Sequence, residues 1–409
     1  MSLNRRVFLT GSGALIAASA IGCGDGGAAK RGAQSAGPVP PKGKGDGAPV
    51  KPHYLVMMTL RGGFDSVMSV NPQDQTVVGD QIHCGYRADQ RIQGSQRLYG
   101  PLIGGLERHD DDLCLIHAVR SDTTSHPDGL GMLIRGAVGA RSYQLAAKLA
   151  ENLAGDAPLP TLDLMTLDGE VPFDAMERPA WGDLRDRVQK QQLADLNVSQ
   201  RDAEIVTKTV RGAAGLGSFL AYAQRDEEEL APKFNGFLGK HMRLAFQAIR
   251  GNWAKVINIG ARLLYFDSHS DNFRYQRQRQ PSTFADLATF IDLLKAEKNR
   301  FGSLYEQTTI AVFSEFGRYP RVNGQGGKDH WPENSWILAG KSITPGLTVG
   351  GTDASFRGLK VDFGTGKVKP KDGRPIFIDN AFATLVKLSG GNPTEFGYAA
   401  DAPISCVIG

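Results

Sequence analysis

Tyr54-Leu55-Val56-Met57-Met58-Thr59-Leu60, followed at once by Arg61-Gly62-Gly63-Phe64-Asp65, decides the fold. A nearly continuous apolar run that stops at a glycine turn reads as a strand buried on both faces. Leu113-Cys114-Leu115-Ile116-His117-Ala118-Val119 repeats the pattern, as do Val256 to Phe266 and Thr308 to Phe313. Between the last two, Phe284 to Phe301 is apolar at Phe284, Leu287, Ala288, Ile291 and Leu294, a helical period. Leu145 to Leu153, Phe219 to Ile249 and Phe377 to Leu388 also read as helices. Strands alternating with helices predict an α/β fold, a central and mostly parallel sheet flanked by helices on both faces. The more polar, irregular stretch 156–211 reads as a small cap or insertion over that sheet.

With 409 residues, 41% of them hydrophobic, the chain can bury a large core, which excludes a hormone, a collagen or a wholly disordered protein. A net charge of +4 is too weak an excess for a nucleic-acid surface, and no such partner is expected. Four cysteines without CxxC spacing make neither a disulfide framework nor a zinc knuckle, and Cys84, Cys114 and Cys406 allow at most one bridge. Gly340-Lys341-Ser342 lacks the earlier glycine of a phosphate loop, since Ser335 stands in its place.

The amino terminus reads as an address. Asn4-Arg5-Arg6-Val7-Phe8-Leu9-Thr10 sets two arginines ahead of an apolar run ending at Gly22, which resembles a twin-arginine export signal over residues 1–22. Ala20-Ile21-Gly22-Cys23 looks like a lipoprotein processing box, so Cys23 is expected to carry a lipid anchor in the periplasm or cell envelope. Residues 23–52, rich in Gly, Ala, Pro, Lys and Ser, read as a disordered tether, leaving 53–409 as the folded domain.

In an open parallel sheet the ligand site lies at the carboxyl ends of the strands. Four ends carry metal-type side chains: Gly63-Phe64-Asp65-Ser66, Thr123-Thr124-Ser125-His126, Asp267-Ser268-His269-Ser270-Asp271 and Ser314-Glu315-Phe316-Gly317-Arg318. A glycine-rich loop, Asn323-Gly324-Gln325-Gly326-Gly327-Lys328, then delivers Asp329-His330-Trp331. This mixture of carboxylates and imidazoles suits zinc, manganese or iron, or calcium where oxygen dominates. Each motif alone is equally a turn or a helix cap; their shared position after strands is what points to one site.

Arg61-Gly62-Gly63-Phe64-Asp65, Phe266-Asp267-Ser268-His269-Ser270, Ser314-Glu315-Phe316-Gly317-Arg318 and Lys328-Asp329-His330-Trp331 occur in the order that resembles the family called domain of unknown function 1501. That family is similar to the alkaline phosphatase and sulfatase superfamily. The resemblance implies one or two divalent metal ions and hydrolysis of a phosphate or sulfate ester, on an anionic small molecule or glycan. It implies metal ligands at Asp65, Asp267, His269 or Asp271, Glu315, Asp329 and His330, with Asp329 alternatively orienting the ring of His330. Ser125 stands where the superfamily has its nucleophile, with Thr123 and Thr124 as rivals, and Arg318 is expected to pair with the substrate's anionic group. Glu315, where many phosphatases have an Asp-His pair, keeps a second reading alive: a catalytically silent binding or assembly protein of the cell envelope.

Overall fold

The computed structural model describes residues 50–136, 145–153, 157–164, 218–220, 222–261 and 264–409. The export signal, Cys23, nearly all of the tether and most of the cap therefore lie outside the described residues. The chain divides into two units, and the larger, Asp46–Leu167 with Glu228–Gly409, contains the sheet and the side-chain cluster described below.

Seven strands form its sheet: β1 (Tyr54–Thr59), β2 (Leu113–Arg120), β3 (Leu159–Asp163), β4 (Ala254–Gly260), β5 (Thr308–Phe313), β6 (Glu333–Gly340) and β7 (Thr348–Val349). Their order across the sheet is β7-β2-β6-β5-β1-β4-β3. β1 runs parallel to β4 and β5, β3 to β4 and β7 to β2, whereas β6 lies antiparallel between β2 and β5. The mixed, mostly parallel α/β sheet that the apolar runs predict is present. Leu159–Asp163 corrects the expected cap at this stretch: it pairs in parallel with β4, and Leu159 and Leu162, on opposite faces, are both buried, so this piece extends the sheet's edge.

Helices cover both faces: α1 (His126–Arg135), α2 (Leu145–Leu153), α3 (Gly239–Arg250), α4 (Asn272–Ala296) and α5 (Ile378–Leu388). Leu55 and Met57, Cys114 and Ile116, Ala311 and Phe313, and Trp336 and Leu338 alternate toward Leu149 of α2 and Phe382 and Leu385 of α5. Ile257 and Ile259 of β4 have the opposite parity to Val256, and α3 packs on β4 and against α4. The sequence places the long helix from Phe284, but α4 begins at Asn272, because its first turns bury the polar residues Asn272, Gln276 and Gln280 where periodicity looks for apolar ones. The expected helix Phe219 to Ile249 is continuous only from Gly239, after Pro232 and Gly236 break it. Cys84, Cys114 and Cys406 are free thiols, so no bridge forms among them. Among the described residues no helix is long and apolar enough to cross a membrane.

Register brings the loops to one level. Thr59 of β1 lies opposite Gly260 of β4 and Phe313 of β5, so the chain leaves all three strands side by side. Because β6 runs the other way, its first residue, Glu333, faces Arg120 at the end of β2. The segment before β6, including His330, therefore enters at the same edge where the parallel strands end.

Candidate metal centre

Three side chains from three loops meet at that edge: His126 at the start of α1, Asp267 beyond β4 and His330 before β6, each offering a ligand atom within 4.8 Å of the others. Local sequence sets each in place. Ser125 is the N-cap of α1, with Pro127 in the first turn, so the helix starts at His126. Gly62 has φ +107°, and a Cβ there would lie 2.4 Å from the Asp267 amide nitrogen, so only glycine lets the β1 loop pass beneath Asp267. Gly327 likewise abuts the His269 carbonyl so closely that a side chain would overlap it. Gly317-Arg318 pairs antiparallel with His330-Trp331, bringing Arg318 opposite His330.

The rings are oriented from behind. His126 Nδ1 is 2.8 Å from Glu315 Oε1, His330 Nδ1 is 2.6 Å from the Thr124 carbonyl and His269 Nδ1 is 3.1 Å from Asp329 Oδ1. Those oxygens accept, so each Nδ1 donates and each Nε2 of a neutral ring turns its lone pair inward. His126 Nε2 and His330 Nε2 both stand 3.5 Å from Asp267 carboxylate oxygens, and His269 Nε2 stands 3.3 Å from Asp267 Oδ1. These spacings match the edge of about 3.3–3.5 Å that a tetrahedral ion with bonds of about 2.0–2.2 Å requires. His126 Nε2 is a buried nitrogen without a hydrogen-bond partner, and the His269 and His330 Nε2 atoms lie only 2.8 Å apart, an arrangement that needs a proton or a cation between them. The donor set therefore fits a divalent ion.

The electrostatics agree. Burial works against the charged form of His126, but the carboxylates of Asp267 and Glu315 that face its two ring nitrogens outweigh it and push its pKa up to about 9. Burial also opposes ionisation of Asp267, yet the facing His126 and His330 rings and the bond and charge of Arg318 hold its carboxyl well below the usual range. Positive charge is favoured at this point whether a proton or a cation carries it. Phe316, fully buried, packs against His126 and His330 with ring centroids 4.7 and 4.3 Å away, walling the site on one side.

Of the residues singled out in the sequence, Asp267 and His330 are in the cluster and His269 stands at its exposed mouth. Asp271 does not join them: it is exposed at the N-terminus of α4 in a left-handed conformation, φ 43°. Glu315 is placed behind His126, its Oε1 accepting also from the Gly62 amide and its Oε2 from the Ser314 hydroxyl. Asp329 takes the orienting place, held by Asn323 Nδ2 at 3.0 Å, and it turns His269 rather than His330. Asp65 is fully buried and engaged elsewhere, with Lys328 and Asn272. Arg318 has four of its five donors spent on the Gly63, Lys328 and Gly62 carbonyls and on Asp267 Oδ1 at 2.6 Å, and its side chain is 0% exposed, so it braces the loops and does not face a substrate. Ser125 Oγ makes no cap bond, whereas Thr123 Oγ1 accepts from the Ser125 amide. By sequence alone His126 reads as part of a helix cap, although it belongs to the row of polar residues after β2.

Fold and cluster together define an α/β protein with a candidate metal centre at the carboxyl edge of its sheet. Residues 173–400, more than half of the chain, match the family described as protein of unknown function (DUF1501), and the chain belongs to that family. The matched segment holds Asp267, His269, Glu315, Arg318 and His330; Asp65, Ser125 and His126 precede it. No curated protein matches the chain.

Proposed function

We propose that the protein is an exported hydrolase of phosphate or sulfate esters that works with a single divalent ion held by His126, Asp267 and His330. The observation that carries this reading is the convergence of inward-facing Nε2 atoms on one carboxylate, with every Nδ1 fixed from behind. Two imidazoles and a carboxylate, with a third imidazole alongside, suit zinc, manganese or iron better than calcium, which prefers six to eight oxygens. Such an ion, when bound, would supply Lewis acidity to an anionic ester oxygen.

The chain's own groups do the rest. Glu315 and the Thr124 carbonyl hold the two ligand rings in one tautomer, and Arg318 fixes Asp267 against the β1 loop. Ser125 Oγ, free of a capping role, is the nucleophile in this reading, and the amides opening α1 receive the anionic group. Phe316 keeps water from one side of both rings. Arg5-Arg6 and Cys23 support export and lipid anchoring at the cell envelope.

One observation favours a second reading, a binding protein without turnover: His269 Nε2, 2.8 Å from His330 Nε2, stands where it could close the coordination. Elemental analysis of the full chain, beside His126→Ala and His330→Ala, with turnover on aryl phosphate and aryl sulfate, tests both. One equivalent of metal and turnover in the parent, both lost in the variants, is the expected result. Metal without turnover selects the binding protein, and metal retained in both variants removes the site.

A further inference from the structure

Away from the histidine cluster, positive charge is gathered on one ribbon. Residues 357–374 hold six cations against two carboxylates, an excess equal to the +4 of the whole chain, so the rest of the protein is balanced. This segment follows β7 and packs along it: the Gly350 amide donates to the Gly366 carbonyl at 2.9 Å and the Leu359 amide to the Gly351 carbonyl at 3.0 Å. It folds back on itself, with Val361 antiparallel to Val368 on one side and to Arg374 on the other. The Asp362 amide binds the Lys367 carbonyl at 3.0 Å and the Lys369 amide the Lys360 carbonyl at 2.8 Å, which closes the first pairing.

That register decides which side chains share a face. Side chains alternate along each strand, so Val361 and Val368 lie on one face and Lys360, Asp362, Lys367 and Lys369 on the other. Val361 is buried, whereas the three lysines, and Lys371 in the turn beyond them, are all exposed. The carboxylate on the lysine face does little to neutralise it. Asp362 Oδ1 accepts from the Gly364 and Thr365 amides, and Oδ2 stands 3.5 Å from Lys369 Nζ. Among the described residues Lys360, Lys367 and Lys371 form no ion pair. Lys360 stands directly across from Lys369, and like charges so placed destabilise a strand pair. The two arginines are engaged elsewhere, Arg357 over the Trp331 ring and Arg374 with Asp401.

An exposed face that carries this repulsion is complementary to a surface of negative charge. Ammonium groups on flexible stems respond to charge density and not to the shape of one anion. Val368, set between Lys367 and Lys369, is 41% exposed and adds an apolar contact. A bilayer with anionic headgroups offers both. The lipid expected on Cys23 would hold the domain beside a bilayer, and a basic patch is the second contact that such an anchor calls for.

We propose that the ribbon bearing Lys360, Lys367, Lys369 and Lys371 is a docking surface for anionic phospholipid headgroups, which turns the β7 edge of the sheet toward the membrane. This docking rests on the envelope location proposed above and is independent of the metal centre; its test needs neither the attached lipid nor the ion.

The full chain carrying Cys23→Ser is mixed with vesicles of phosphatidylcholine alone or with phosphatidylglycerol as a third of the lipid. Lys360→Gln/Lys367→Gln/Lys371→Gln is compared with Lys233→Gln/Lys240→Gln/Lys298→Gln, which removes the same charge from exposed lysines on other elements. Net charge and the apolar run ending at Gly22 are then alike in both variants. The parent and the second variant should bind the phosphatidylglycerol vesicles alike and more tightly than phosphatidylcholine. The ribbon variant should bind them roughly 10- to 100-fold more weakly and lose most of the salt dependence. Because glutamine relieves the repulsion between Lys360 and Lys369, the ribbon variant should melt no lower than the parent. Should it fail to fold, Lys371→Gln alone, in the exposed turn, is expected to weaken binding about fivefold, and an unchanged affinity there overturns the proposal. Equal affinities of the two triple variants overturn it, as does a parent that does not distinguish the two vesicles. A ribbon variant weakened toward a DNA duplex and not toward vesicles would make the partner a nucleic acid, which also overturns it.

Discussion

Glu315 Oε1 lies 2.8 Å from His126 Nδ1, and the glutamate side chain is wholly buried while the ring beside it is partly open to solvent. Its two oxygens are also committed to Gly62 and Ser314, so the carboxylate is fixed before the histidine leans on it. A fixed carboxylate behind a ligand histidine raises the ring's basicity at the far nitrogen and removes its freedom to rotate. Glu315→Gln should therefore keep the fold and one equivalent of metal while weakening metal affinity by roughly 10- to 100-fold. Competition against a chelator of known strength measures this. An unchanged affinity would mean that Glu315 serves the loop alone.

His269 and His330 face each other across 2.8 Å but are held differently. His330 leans on the Thr124 backbone with its side chain 17% exposed, whereas His269, 47% exposed, leans on an aspartate that is itself in solvent. His330→Ala should abolish stoichiometric metal, and His269→Ala should retain it with affinity lowered about tenfold or less, because an exposed ligand contributes less to a preformed site. Equal loss in both would make the centre a four-ligand site closed to substrate.

How far this centre is readable from sequence follows from what each part depends on. β1, β2 and β5 are apolar on both faces and announce themselves as buried strands; so does the row of polar residues after them. The antiparallel course of β6 leaves no such mark, because the apolar run Trp336 to Ala339 reads the same whichever way it runs, and that course is what carries His330 to the right edge. Resemblance places Asp65 among the ligands, but its partner is Lys328, 263 residues further along the chain and invisible to local spacing. Arg318 reads as a substrate clamp until the three carbonyls that surround it are in place. His126 looked like a cap because a histidine before Pro127 fits that role, and only the approach of Asp267 and Glu315 gives it another.

Away from the centre, His117 is buried in β2 with Nδ1 3.0 Å from Ser335 Oγ of β6. Burial, aided by the charge of Arg97, lowers its pKa from 6.5 to about 4. A folded-state value below the unfolded one means that the unfolded chain takes up a proton first. The stability His117 allows is intact above pH 6.5 and is lost as pH falls from 6.5 toward 4, by up to about 3 kcal/mol. Denaturant midpoints between pH 7 and pH 4 should show this slope, and His117→Gln should flatten it by about one proton's worth. A variant with the parent's slope would place the acid sensitivity elsewhere.

Arg318 is the residue whose conservative replacement should be least conservative. Its Nε binds the Gly63 carbonyl, Nη1 the Lys328 carbonyl, and Nη2 both the Gly62 carbonyl and Asp267, all with the side chain 0% exposed. A planar fork reaches three loops at once; an ammonium on a flexible stem satisfies one direction and leaves the other carbonyls dry. Unpaired buried acceptors cost about 1–3 kcal/mol each, so Arg318→Lys should lose roughly 2–4 kcal/mol of stability despite keeping its charge. Asp267 would also lose the contact that fixes its rotamer, so metal affinity should fall at temperatures where the variant is still folded. Calorimetric melts with chelator titration at 10 °C separate the two effects. If stability falls and affinity holds, Arg318 braces the loops without setting the carboxylate; if neither moves, charge alone is what this position requires.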